Sequence, residues 1–351
     1  MKGGVKHRLF YYFCSEKTNM IMKKILLALY VCVMLGMLPA CTTLQSFSFD
    51  RLQAADVSFP TQVKNVGIVN CMPQVSQDME TVDYASGVFE GDGKVATEML
   101  ATGIAETGYF EQVVICDEPL GPEGVEAMEG FSISGEKGDS LMEVLGVDLL
   151  FAMERVQIQL KESSLFLPEV MMEVPVLDGV ITPLVKVYVP KRNTPLYMVS
   201  KTDTICWELS PELTYGQIIK ESSEYGAKIP VTNLLPHWKE QHRYYFDGRN
   251  ADMWDAGVYV REQNWDSAAE LWQRLHDTRK GKTRMCAAYN LAVYYEMQDD
   301  FERAKEYLDT AASLAKEGSW EAQLIQFYQF QLGEQSKQSQ RLKLQMQRFG
   351  S

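Results

Sequence analysis

The chain has 351 residues, 46% of them apolar, and a formal net charge of −13. That length gives room for about two domains with a proper core. The acidic balance excludes an electrostatic hold on nucleic acid or on an anionic membrane.

Residues 1–21 read as an extension upstream of a better start at Met22. Lys23-Lys24 then lead into the apolar run Ile25 to Leu38, followed by Leu38-Pro39-Ala40-Cys41. A short basic stretch, an apolar stretch and a small residue before the break is the order of a secretory signal. The run is too short to cross about 30 Å of hydrocarbon. The last four residues resemble the lipobox of bacterial lipoproteins, although Pro39 departs from its commonest form. The resemblance implies that residues 22–40 are removed and that Cys41 is acylated. The first 40 residues carry six Lys/Arg and one Glu, so their removal takes the charge from −13 to −18. Thr42 follows the Cys and no acidic run comes after it, which by the same resemblance implies the periplasmic face of the outer membrane.

Residues 41–61 lack a clear period and read as a lipidated tether. Residues 62–210 read as an α/β domain. Val63 to Cys71 is a β-branched run bounded as a buried strand is. A loop with Asp78, Glu80 and Asp83 follows. Asp92 to Thr107 has helical spacing and stops at Gly108, Val113 to Cys116 is a second strand, and Lys137 to Leu145 is a helix stopped by Gly146. A third strand opens at Val147 and runs to about Leu160. Gly179 to Val189 and Leu196 to Trp207 are strand-like. This order predicts a small mixed sheet with flanking helices: a parallel unit with right-handed crossovers, extended by antiparallel hairpins. Residues 211–248 read as connecting helices.

From residue 249 the period becomes helical. Ala256, Tyr259, Trp265, Ala268 and Trp272 recur as Ala292, Tyr295, Phe301, Ala304 and Leu308, each pair 36 residues apart. Such self-similarity marks a helical repeat, and these residues resemble the TPR pattern over 249–335. Asp299 with Glu302 reads as a capping box. The two residues beyond the usual 34 are expected in a longer linking turn. Trp320 to Leu332 supplies one more helix, and 336–351 is a polar C-terminal tail or helix that frays. The TPR resemblance implies a concave groove lined by Met253, Gly257 and Val260 from one unit and by Tyr289, Val293 and Glu296 from the next. None of these is a cation, so a clamp for a peptide carboxylate is not implied. Cover of the same face by residues 211–246 stands as the competing reading.

Motifs for chemistry are weak. Gly87-x5-Gly93-Lys94 has the wrong spacing for a phosphate loop, and Ser134-x-x-Lys137 lacks companion motifs. Cys71, Cys116, Cys206 and Cys286 are far apart and fit neither a zinc site nor a disulfide framework. Cys71 and Cys116 end neighbouring predicted strands, so one disulfide is a minor expectation. His237 and His242 read as lying on different faces of a helix. Asp92, Asp117 and Glu118 near the strand ends are the sole hint of a cation site. No nucleophile stands at a recognisable spacing from a base, so no enzyme and no cofactor are expected.

Arg243-Tyr244-Tyr245 with Gly248-x-Asn250, Trp265-x2-Ala268-x3-Trp272 and Asn290-Leu291-Ala292-x3-Glu296 resemble the Bacteroidota envelope lipoproteins of unknown function that end in TPR-like repeats. The resemblance implies a protein-interaction module anchored by lipid at the outer membrane, with an envelope protein or peptide as partner. The alternative is an α/β small-ligand or cation-binding domain with a regulatory or weak catalytic role.

Overall fold

The structure, a computed structural model, describes residues 42–73, 87–116, 118–121, 133–169, 171–248 and 250–349. The signal segment, Cys41, the acids at 78, 80 and 83, and Asp117 lie outside the described residues. Two compact units are present. One comprises Phe49–Gln241 with Glu334–Ser351, and the other Met1–Ser48 with His242–Gly333.

The first unit is built on a seven-stranded mixed sheet. Its strands are β2 (Asn65–Asn70), β3 (Val88–Glu90), β4 (Gln112–Cys116), β5 (Leu149–Leu167), β6 (Met172–Tyr188), β7 (Tyr197–Val199) and β8 (Asp203–Glu208). The order is β4-β2-β5-β6-β7, with β3 beside β5 and β8 beside β6. β2 runs parallel to both β4 and β5, while β5 and β6 form an antiparallel hairpin. The expected parallel unit with an antiparallel extension is therefore present. Leu196 to Trp207 breaks into two strands because each part pairs with a different stretch of β6, Val199 opposite Val185 and Asp203 opposite Ile181.

Helix α1 (Gly93–Glu106) and helix α2 (Gly135–Leu145) are the two crossovers of the parallel unit. Asp92 caps α1 by accepting from the Val95 amide, and Gly146, at φ 66°, closes α2 in the left-handed region where a side chain is costly. Alternate residues of a strand face opposite sides. Val66 and Ile68 pack with Leu100 and Ile104 of α1, and Val69 and Cys71 pack with Met142 of α2. The two crossover helices thus cover opposite faces. Helix α3 (Tyr215–Lys228) and the short α4 (Val231–Leu234) add Ile218, Ala227 and Leu234 to the first of these cores.

Two polar segments depart from expectation. Residues 42–53 form strand β1 (Thr42–Gln53), not a tether, and residues 237–248 form strand β9 (His237–Gly248), not a connecting helix. β1 and β9 pair as a two-stranded sheet. Phe47 and Phe49, like Arg243 and Tyr245, stand two apart as strand residues do, but each strand forms only because its distant partner supplies the ladder. The C-terminal segment also does not fray. Gln345 is buried, and its Nε2 donates to the carbonyls of Ala55 and Val57, each at 3.0 Å. Its Oε1 accepts from the Ala55 amide at 2.9 Å. The Arg348 guanidinium lies 4.2 Å from the Tyr109 ring centroid. A polar side chain that satisfies buried backbone anchors a segment as firmly as an apolar one.

The second unit holds α5 (Ala251–Arg261), α6 (Trp265–Thr278), α7 (Gly281–Met297), α8 (Phe301–Leu314) and the first part of α9 (Trp320–Met346). The 36-residue offset reaches the backbone. Gln263 at φ 59° and Asp299 at φ 58° occupy the same place in the α5–α6 and α7–α8 turns. Asn264 and Asp300 cap the helices that follow, accepting from the Ser267 and Arg303 amides. The cap of α8 is therefore Asp300 and not Asp299, whose left-handed backbone removes it from that role. The link between the hairpins is only Arg279-Lys280. The extra length sits in α7 rather than in a longer turn. Among the described residues no helix is long and apolar enough to cross a membrane.

Candidate functional site

Within the helical unit the motif residues converge on a buried polar clasp. Arg243 of β9 donates from Nε and Nη2 to the two carboxylate oxygens of Glu296 on α7, at 2.8 and 2.6 Å. Tyr328 of α9 donates to the same carboxylate at 2.6 Å. All three side chains are buried. Burial, and then the Glu296 charge, hold the Tyr328 hydroxyl well above its ordinary range, so it remains a donor. Asn290 accepts from the Phe246 amide and donates to its carbonyl, both at 2.8 Å, which replaces a neighbouring strand for that residue. Asp247 accepts from Arg261 at 3.1 Å. Gly257 leaves room for it, because a Cβ there would stand 2.5 Å from the Asp247 carboxylate.

This packing corrects the groove expected on the first helices. Met253, Tyr289, Val293 and Glu296 are at most 1% exposed, and Val260 is 6% exposed. Gly257 is buried as well. Phe246 of β9 lies against Tyr289, with ring centroids 5.0 Å apart, and Tyr328 of α9 lies 5.3 Å from it. A short array has too little core of its own, and here its inner face is filled by a strand and a further helix of the same unit.

An open cleft lies elsewhere on that unit. It has a volume of about 410 Å³ and is lined by Tyr295, Arg303, Glu306, Tyr307 and Thr310. Tyr295 of α7 and Tyr307 of α8 stack with centroids 5.3 Å apart and planes 4° from parallel. Arg303 sits over Tyr295 at 5.4 Å. Tyr307 donates to Gln273 at 2.7 Å and meets the His276 ring edge-on at 5.3 Å. The ring positions are therefore fixed before anything binds. In the sequence Tyr295 reads as an inter-helix filler. Tyr307 carries no signal there, because its role arises from stacking across the hairpin.

In the sheet unit the polar groups near the strand ends answer to one another. Glu154 is the extra residue of a bulge in β5, where the pairing shifts between Met153 and Arg155. Its carboxylate meets Lys186 at 2.5 Å and accepts from Tyr188 at 2.8 Å. Burial first, and the Glu154 charge second, push the nearby Cys71 thiol up to about 12, so it stays protonated and unreactive at neutral pH. Cys71 and Cys116 are free thiols, and the minor disulfide expectation is not met. Ser134 accepts from the Lys137 amide and so serves as a helix cap. A Cβ at Gly93 would stand 2.8 Å from the Asn70 side chain, so the glycine accommodates packing. His237 and His242 lie on a strand, an odd number of residues apart and hence on opposite faces. Among the described residues no three His, Cys, Asp or Glu side chains gather as metal ligands would.

A family model described as a domain of unknown function (DUF8603) matches residues 63–246. A second, described as a domain of unknown function (DUF6340), matches residues 254–334. No curated protein matches the chain. Among solved structures, the chain is similar to a dodecamer of a PelC variant from Paraburkholderia phytofirmans at 10% identity and a TM-score of 0.25, over 55% of this chain and 99% of that one. It is similar at the same identity and TM-score to the hypothetical protein CT253 from Chlamydia trachomatis, over 49% of this chain and 91% of that one. At a TM-score of 0.25 neither likeness bears on function.

Proposed function

The chain belongs to the DUF8603 family, and from its own residues we propose that it is a non-catalytic outer-membrane lipoprotein. In this reading it faces the periplasm and binds a partner protein through its TPR-like helical unit. The observation that carries the binding role is the open cleft of the α7–α8 hairpin, with its stacked Tyr295 and Tyr307. Two ring faces held parallel, a guanidinium over one of them and Glu306 at the rim suit a planar side chain on an exposed partner segment. Envelope assembly is the process this fits. The anchored location rests on Lys23-Lys24, the short apolar run and Cys41.

Two experiments test the reading. Photocrosslinking of the full chain in intact membranes, followed by purification, should recover a partner. Tyr307→Ala should weaken that capture by on the order of 2 kcal/mol, as loss of an interface aromatic does. Tyr307 is half-buried and also contacts Tyr295, Gln273 and His276, so the variant should lose some thermal stability, and capture is compared well below its unfolding transition. Equal capture by the variant sinks the cleft. For the anchor, a clickable fatty acid should label the chain and leave Cys41→Ala unlabelled. Continued labelling of that variant removes Cys41 from the role.

The small-ligand reading of the sheet unit has less support. Glu154, Lys186 and Tyr188 are committed to one another, and Cys71 is protonated.

A further inference from the structure

Helix α9 buries one face and leaves a long outer one. Ile325, Tyr328 and Leu332 enter the core of the helical unit. On the other side Phe327 is 56% exposed and Phe330 69%. Three residues apart on a helix, the two rings are neighbours on one face. Solitary exposed apolar residues are ordinary, but two large rings side by side on a helix that already has its core mark a contact surface. The stripe they belong to is regular. Trp320, Gln323, Phe327, Phe330, Glu334 and Lys337 are all exposed, at steps of 3, 4, 3, 4 and 3 residues. That alternation is how a helix presents a seam to a partner helix. The seam extends about 26 Å, at about 1.5 Å per residue.

The order of residues along the seam identifies the partner. Turned end for end about the midpoint between Phe327 and Phe330, the seam maps onto itself. Phe327 then meets Phe330, Gln323 meets Glu334 and Trp320 meets Lys337, because the members of each pair lie equally far from that midpoint. Ring falls on ring, an amide on a carboxylate, and the stem of a lysine on the exposed part of an indole. A face complementary to itself in this way is what an isologous two-fold contact requires. Charge agrees. The chain carries a formal net charge of −13, so two copies repel on average. The seam has one acid and one base, Glu334 and Lys337, which are 2.8 Å apart, and is neutral.

We propose that two copies of the chain pair antiparallel through the outer face of α9. The pairing is separate from the cleft, whose residues lie on α7 and α8. One helix pair is a contact at the small end of interface sizes, so the test runs at roughly 100 µM chain. The full chain in a density-matched detergent should sediment as two copies. Phe330→Asp and Phe327→Lys should each sediment as one, a twofold fall in mass. Both side chains are exposed, so each variant should unfold as cooperatively as the parent. Mixed in equal amounts, the two variants should return to two copies, because the introduced acid of one faces the introduced base of the other. A parent that sediments as one copy overturns the proposal, and so does a Phe330→Asp variant that still pairs. Growth of the parent beyond two copies overturns it too, since a head-to-tail contact does not close. A mixture that stays single overturns the antiparallel register.

Discussion

Glu296→Ala should cost about 3–5 kcal/mol of stability in urea or thermal unfolding, the scale for removing one partner of a buried ion pair. Arg243 is 3% exposed and binds both oxygens of Glu296. Without them its charge stays in a low-dielectric core. Tyr328, which donates to the same carboxylate, loses its acceptor too. The origin of the loss is separable. Arg243→Met combined with Glu296→Leu removes both charges and keeps the volume, so it should recover much of the stability that either single change loses. A double variant as unstable as Glu296→Ala would mean that shape rather than charge holds this core. A Glu296→Ala variant within about 1 kcal/mol of the parent would show that water reaches the pair.

Phe151→Ala should be comparably severe in the other unit, at about 3–5 kcal/mol. Phe151 lies on β5, paired with Ile68 of the central strand, and is fully buried. Its ring meets Phe59 edge-on at 5.8 Å and Phe110 at 6.0 Å. Removing it opens a cavity that the sheet backbone cannot close, because β5 is bonded on both sides there. Urea unfolding measures the loss. Phe151→Leu should lose less than Phe151→Ala, because it fills more of the same space. Equal losses would place the cost in the aromatic contacts instead of the cavity.

Regular elements were legible where local chemistry decides them. Asp92 and Gly146 mark helix ends because a carboxylate caps bare amides and glycine tolerates a left-handed turn. The 36-residue repeat survives down to the backbone angles of Gln263 and Asp299. Segments whose partners are distant in sequence were not legible. β1 and β9 pair across almost 200 residues, and neither carries enough apolar alternation to declare itself. Gln345 looks like a tail residue until its carbonyl partners at Ala55 and Val57 are known. The site followed the same rule. Arg243, Asn290 and Glu296 stood out in the sequence, but their meaning as a clasp depends on which strand meets which helix. Tyr289 and Val293 lie on the first helix of the second hairpin, and Phe246 and Tyr328 fill the space in which the TPR resemblance implies a groove.

The way the two units divide the chain has a consequence for biogenesis. Each is assembled from two stretches separated by residues of the other. Gln345 must find Ala55 across 290 residues, so the sheet unit cannot close until its last stretch of polypeptide has emerged. A chain delivered in order from its N-terminus therefore carries the backbone of Ala55 and Val57 without its Gln345 partner throughout its passage. Such an order of events makes late arrival, rather than intrinsic instability, the stage at which misassembly is most damaging.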